Sequence, residues 1–196
     1  MVTRGSLLCA LAGALLLPAS ASAQLGWALG VRSAKSDPAI PQSGDRRGYE
    51  ARVTYDRDLN ELFGLRADFG YNQMQFQRDD SVRFQVSENG FEFALMGRLE
   101  VRNGALTGLH STFGPIASFR SACGSSGRFD SNGRVLCDTQ ESYLTGFGVG
   151  VGYRWMAFLT SDVTVEARYL TNVTAAQGRD LVAFSIGVRR RVSGSP

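Results

Sequence analysis

From residue 24 onward, large apolar side chains recur at every second position in eight separate runs. In the first run Leu25, Trp27, Leu29 and Val31 alternate with Gly26, Ala28, Gly30 and Arg32. In the sixth Tyr143, Phe147, Val149, Val151, Tyr153 and Trp155 alternate with Gly146, Gly148, Gly150, Gly152 and Arg154. A period of two is the signature of strands with two unlike faces. The runs predict strands over 25–32, 48–56, 62–74, 90–102, 109–120, 143–155, 162–170 and 181–192. Each is close to the 9–11 residues that cross a bilayer when tilted, and an even count suits a closed bacterial barrel. Two places break the pattern. Val82, Phe84 and Val86 alternate on even positions whereas Phe91 onward alternates on odd ones, which predicts a bulge at Gly90. Pro115 removes a ladder donor inside the fifth strand and predicts a second bulge.

The links between runs alternate long and short. Residues 33–47 and 121–141 are long, whereas 57–61 and the segment near Phe158–Ser161 are short, and Asn103-Gly104 is a strong hairpin signal. Short turns on one rim and longer loops on the other are the pattern of an outer-membrane barrel.

A soluble barrel would turn its apolar face inward, so the size of that face matters. It carries Trp27, Phe63, Phe69, Phe91, Phe93, Phe113, Phe119, Phe147 and Phe184, too many rings for an eight-stranded interior. The opposite face is small or charged. It holds six acids (Glu50, Asp56, Asp68, Glu92, Glu100, Glu166) against seven bases (Arg32, Arg52, Arg66, Arg98, Arg154, Arg168, Arg189). Near-balance is what a narrow lumen of paired charges requires. Tyr49, Tyr55, Tyr71, Tyr143, Tyr153, Trp155 and Tyr169 fall near strand ends, where interfacial girdles belong. The expected fold is an all-β, eight-stranded antiparallel transmembrane up-and-down barrel.

The start of the chain reads as an export signal. Arg4 precedes an apolar run, Leu7–Leu17, that is too short to span a bilayer as a helix, and Ala21-Ser22-Ala23 offers a cleavage site. The expected organisation is a cleaved signal over 1–23, a barrel over 24–192 and a tail over 193–196. Loss of Arg4 takes the formal charge from +3 to +2, and scattered arginines exclude a nucleic-acid patch. With Cys9 gone, Cys123 and Cys137 remain in an exported chain, and a disulfide stiffening the longest loop is expected.

With these features the chain resembles the small eight-stranded outer-membrane barrels of the outer-membrane protein A/X-like class, over nearly all of 24–192. The resemblance implies a place in the bacterial outer membrane, contact with its lipid and lipopolysaccharide, and recognition of the final strand, 181–192, by the barrel-assembly machinery. That strand lacks the usual terminal aromatic, because Ser193-Gly194-Ser195-Pro196 follows Val192.

Candidate chemistry is sparse. His110-Ser111-Thr112 is similar to the His-x-Ser pair of eight-stranded lipid A deacylases, but Thr112 replaces the Ser and alternation turns His110 into the lumen. Asp130-Ser131-Asn132-Gly133 lacks the later acids of a calcium loop. The glycines from Gly146 to Gly152 open no helix and cradle no phosphate. No catalytic, cofactor-binding or metal-binding residue is expected. The lumen network is assigned to Glu50, Arg52, Arg66, Asp68, Glu92, Arg98, Glu100, Arg154, Glu166, Arg168 and Arg189, in company with Arg32 and Asp56. The expected role is structural, adhesive or envelope-stabilising, in a monomer, with a ligand for the 121–141 loop left open. A lipid-modifying enzyme and a narrow channel are the alternatives.

Overall fold

The computed structural model describes residues 23–34, 43–79, 83–126, 143–158, 161–171 and 180–190. They form eight strands: β1 (Ala23–Ala34), β2 (Ser43–Asp58), β3 (Phe63–Asp79), β4 (Arg83–Glu100), β5 (Leu109–Ser126), β6 (Tyr143–Phe158), β7 (Ser161–Thr171) and β8 (Leu181–Arg190). Each pairs antiparallel with the next, and β1 also pairs with β8, so the sheet closes into a barrel with no lateral edge. Closure is what lets a sheet sit in lipid, because every ladder N–H and C=O then finds a partner within the protein. Among the described residues no helix is long and apolar enough to cross a membrane.

The faces follow the alternation. On β1, Leu25 is 60% exposed and Trp27 53%, whereas Ala28 and Arg32 are buried. On β8, Val182, Phe184 and Ile186 point out, and Leu181, Ala183 and Ser185 point in. Outward aromatics collect in register: Tyr71 of β3 pairs with Phe91 of β4, Phe91 with Phe119 of β5, and Phe119 with Tyr143 of β6. The Tyr71–Phe91 and Phe119–Tyr143 ring centroids lie 5.7 and 4.9 Å apart, so the row is a contiguous aromatic surface. Tyr153 and Trp155 stack at 6.3 Å toward the opposite rim.

The register shift expected at Gly90 is present, though on one side of β4 only, and two further expectations are corrected. The β3–β4 register runs through Gly90 without a step, with Asn72 opposite Gly90 and Gln73 opposite Asn89. The step lies on the other side of β4: Asn89 faces Ala122 and Gly90 faces Arg120, so Ser121 of β5 is the extra residue. Pro115 makes no bulge. The β4–β5 pairing lapses between Ala94/Ile116 and Gly97/Phe113 and resumes in the same register. A missing donor interrupts the hydrogen bonds of a ladder without adding a residue to it. Finally, Asn103-Gly104 does lie in a hairpin, but in a wider one than expected. β4 ends at Glu100 and β5 begins at Leu109. The intervening turn carries left-handed backbone at Gly104 (φ 88°) and Gly108 (φ 96°). A Cβ at Gly108 would also lie 2.0 Å from the Arg154 carbonyl oxygen, which accepts no such approach, and the Gly108 carbonyl itself receives the Arg154 N–H at 2.9 Å.

Toward the long-loop rim β2 to β5 run past the predicted ends. β3, β4 and β5 have 17, 18 and 18 residues, against 11 and 10 in β7 and β8. The rim where β3 meets β4 therefore stands taller than the rim where β7 meets β8.

Candidate functional site: the lumen

Two layers fill the interior. Toward the rim of the longer loops lies an apolar cluster of Ala34, Met74, Ala94, Met96, Ile116, Leu170, Leu181 and Ala183, each no more than 4% exposed. The glycines of β6 make room for it. A Cβ at Gly148 would come within 2.6 Å of Ile116 and 3.0 Å of Met96, and one at Gly150 within 2.6 Å of the Thr112 hydroxyl. Met96, Ile116, Glu166 and Arg168 occupy the space that these glycines leave.

Beyond this cluster the lumen is polar and charged. Arg32 bridges Glu50 at 2.5 Å and Glu92 at 2.7 Å, joining three strands. Arg168 donates to Glu50 at 2.8 Å and lies 3.4 Å from Asp68. Glu166 accepts from Arg52 at 2.8 Å, from Arg66 at 3.0 and 3.2 Å, and from the Thr112 hydroxyl at 2.9 Å. Arg52 also donates to Ser185 at 2.6 Å. Asp56 lies among Arg66 (3.6 Å), Arg98 (3.0 Å) and Arg189 (3.4 Å). Nearer the short-turn rim, Arg98 reaches Asp58 and Glu100, and Arg154 reaches Glu100 and Asp162. All eleven network residues assigned from the sequence, with Arg32 and Asp56, join one continuous chain of ion pairs.

The sequence count left out Asp58, which Arg98 reaches, and Asp162. Asp162, at the start of β7, is 2% exposed and lies 3.5 Å from Arg189 and 3.8 Å from Arg154. Its alternation with Val163 was legible, but it sits at a strand end where inward and solvent-facing positions look alike. Asp58 and Asp162 bring the acids from six to eight, against the seven bases counted and Arg102, which lies 2.8 Å from Asp58. This balance matters energetically. Removing a charge from water is costly, and mutual pairing offsets that cost only when each ion has close partners of the other sign.

His110 is buried in the wall of β5, with Nδ1 3.2 Å from the Gly108 carbonyl oxygen. The Thr112 hydroxyl is directed to Glu166 and not to an exposed surface. Among the described residues no group of three or more His, Cys, Asp or Glu is arranged to hold a metal ion. Cys123 lies in the final part of β5, and Cys137 and most of the 121–141 loop lie outside the described residues. The 1–23 signal falls outside them as well, apart from Ala23.

A closed antiparallel barrel that shows aromatic and aliphatic side chains outward and ion pairs inward is a membrane-spanning barrel of the bacterial outer membrane. Residues 6–191 match the family described as the outer membrane protein beta-barrel domain, and the chain belongs to that family. No curated protein matches it. Among solved structures it is similar to the outer membrane protein OprG of Pseudomonas aeruginosa, at 9% identity and a TM-score of 0.59, over 89% of this chain and 97% of that one. It is also similar to Ail, the attachment invasion locus protein of Yersinia pestis, at 11% identity and a TM-score of 0.50, over 88% and 99%. Neisserial surface protein A matches over 88% and 99% at 16% identity, with a TM-score of 0.48. At such identities the likeness is one of fold.

Proposed function

We propose that this is a non-enzymatic, non-conducting barrel with a structural or adhesive role in the envelope, whose working surface is its outward-facing loop rim. The observation that carries this reading is the lumen. An apolar layer lies against a layer of ion pairs, so a hydrated ion meets both a dry constriction and charges already engaged with one another. The same observation weighs against the channel. The deacylase reading has less support, because His110 and Thr112 face the lumen near the short-turn rim, away from the outer leaflet. Refolded protein in vesicles that contain labelled lipid A and a trapped small solute should retain the solute and leave the lipid's mass unchanged. Steady solute release would favour the channel, and a shortened lipid A would favour the enzyme.

The proposal includes a Cys123–Cys137 bridge. Closing a loop of this length contributes about 3 kcal/mol in the chain-entropy picture. Protein recovered from the envelope should therefore show no free thiol until reductant is added, and reduction should leave the barrel intact. Two free thiols before reduction would remove the bridge from the account.

A further inference from the structure

The space inside the barrel is not evenly filled. One inward row crosses four strands as Thr164 of β7, Gly187 of β8, Ala28 of β1 and Arg52 of β2. Three adjacent strands thus meet the lumen with a short hydroxyl, a hydrogen and a methyl. Gly26 continues the gap one row nearer the short-turn rim, opposite Thr54. Side chains this short leave the barrel axis unfilled on their side, and a small cavity remains beside them, with room for one water-sized guest. The cavity lies on the short-turn side of the apolar layer, whose β8 members are Leu181 and Ala183.

The rest of its wall is cationic. Arg52, Arg66 and Arg189 line the cavity, and each is only 5–6% exposed. The Nε atoms of all three are buried and have no hydrogen-bond acceptor among the described residues, and neither has Arg52 Nη1. The carboxylates that face these groups stand off: Glu50 and Asp68 lie 3.6 and 3.8 Å from Arg52 Nη1, and Asp56 and Asp68 lie 3.6 and 3.4 Å from Arg66 Nε. Arg189 meets Asp56 and Asp162 through its Nη atoms, at 3.4 and 3.5 Å. All of these are longer than a charge-assisted hydrogen bond. The carboxylate on the cavity wall is Glu166, which already accepts from Arg52, Arg66 and Thr112. Guanidinium groups offer donors only, so the guest they call for is an acceptor. A water would also have two hydrogens of its own to place, against a carboxylate already taken. A monatomic anion accepts from every side, needs no acceptor in return, and offsets three buried cations that share one carboxylate at the wall.

We propose that this cavity is a binding site for a single chloride ion, held by Arg52, Arg66 and Arg189. Ser185 contributes from the same wall: it accepts from Arg52 at 2.6 Å and so has its own hydrogen left to donate. A tetrahedral oxyanion such as sulfate or phosphate is too large for the space. The ion is a fixed part of the folded lumen and not a permeant one, because the apolar layer closes the barrel on one side of it. The inference concerns the lumen alone and is independent of the role of the loop rim.

The test unfolds the full mature protein with urea from zwitterionic vesicles, in sodium chloride and in sodium gluconate of equal ionic strength. A ligand that binds only the folded barrel stabilises it by mass action. The urea midpoint should therefore rise with chloride concentration and level off, and bromide should substitute for chloride. Gluconate, far too large for the space, should give no rise. Ala28→Leu fills the cavity without altering a charge and should remove the rise. Arg98→Gln weakens the ion-pair network away from the cavity, and should lower the midpoint while keeping the rise. Wild-type crystals grown in bromide should show one anomalous scattering peak among Arg52, Arg66 and Arg189, which reads the site even where a variant fails to fold. Equal midpoints in the two salts, or a cavity without bromide, would mean that water fills it and would overturn the inference. An equal rise in wild type and Ala28→Leu would overturn it too, by making the effect one of surface ions only.

Discussion

Glu166→Ala is expected to destabilise the folded barrel by about 3–5 kcal/mol, the cost of leaving buried charges without their partner. Glu166 is the acceptor for Arg52, Arg66 and Thr112 at 2.8–3.2 Å, and its side chain is only 2% exposed. Without it, Arg52 keeps Ser185 at 2.6 Å, but its carboxylate partners are then Glu50 at 3.6 Å and Asp68 at 3.8 Å, and those of Arg66 are Asp56 at 3.6 Å and Asp68 at 3.4 Å. Those carboxylate contacts are too long to replace the lost ones. Glu92→Ala removes the 2.7 Å partner of Arg32, and Arg98→Ala removes the 3.0 Å partner of Asp56; both should fall below Glu166→Ala but remain severe. Arg102→Ala supplies the contrast. Arg102 lies 2.8 Å from Asp58 with its side chain 34% exposed, and an ion pair at such a rim is worth about 1 kcal/mol or less. Equilibrium unfolding in urea from lipid vesicles measures all four. Losses near zero for Glu166→Ala and Arg102→Ala alike would mean that water solvates the lumen charges one by one.

An arginine placed on the lipid face should be almost as damaging. Val149→Arg, in the middle of β6, is expected to cost about 2–4 kcal/mol, the depth-dependent penalty for a cation near the bilayer midplane. Val149 is 44% exposed although it is apolar, because its surroundings are lipid and not protein. Phe93→Arg on β4 should behave in the same way. The neighbours Gly150 and Ala94 lie on the other face, Gly150 beside Thr112 and Glu166, and Ala94 fully buried. Single cysteines at 149 and 150, on a background lacking Cys9, Cys123 and Cys137, should therefore differ sharply toward a lipid-soluble thiol reagent. Equal labelling at the two positions would contradict the alternating faces.

Most of the fold was legible because one physical rule governs it. A strand between lipid and a packed lumen must change character at every residue, so Phe63-Gly64-Leu65-Arg66-Ala67-Asp68-Phe69 states its own orientation. The charged lumen was legible for the same reason, and the residues assigned to it meet in three dimensions. What alternation does not carry is the third dimension of the ladder. Which strand holds the extra residue at the β4–β5 step depends on how two strands align, and the polarity of β4 alone pointed to Gly90 when Ser121 holds it. The dipeptide Asn103-Gly104 speaks for a tight hairpin, but the pairing of Val101 with Leu109 and Gly108 sets a wider turn. The apolar layer was missed as a unit. Met74, Met96, Ile116 and Leu170 occupy inward positions on four strands, and nothing in a single strand shows that they meet. A signal was present all the same: apolar side chains on the otherwise polar face, toward the rim of the longer loops.

The central claim is that the lumen is closed by its own side chains. Recording from single refolded wild-type molecules in a planar bilayer tests it most directly, with insertion of the protein verified independently by fluorescence of a label. The closed lumen predicts that verified insertions leave the bilayer current at its baseline, without steps. Replacing the apolar layer by small residues, as in Met96→Ala with Leu170→Ala, should at most produce brief, irregular openings, because the ion pairs below it remain. Uniform, long-lived conductance steps that accompany each wild-type insertion would contradict the account and make the protein a channel.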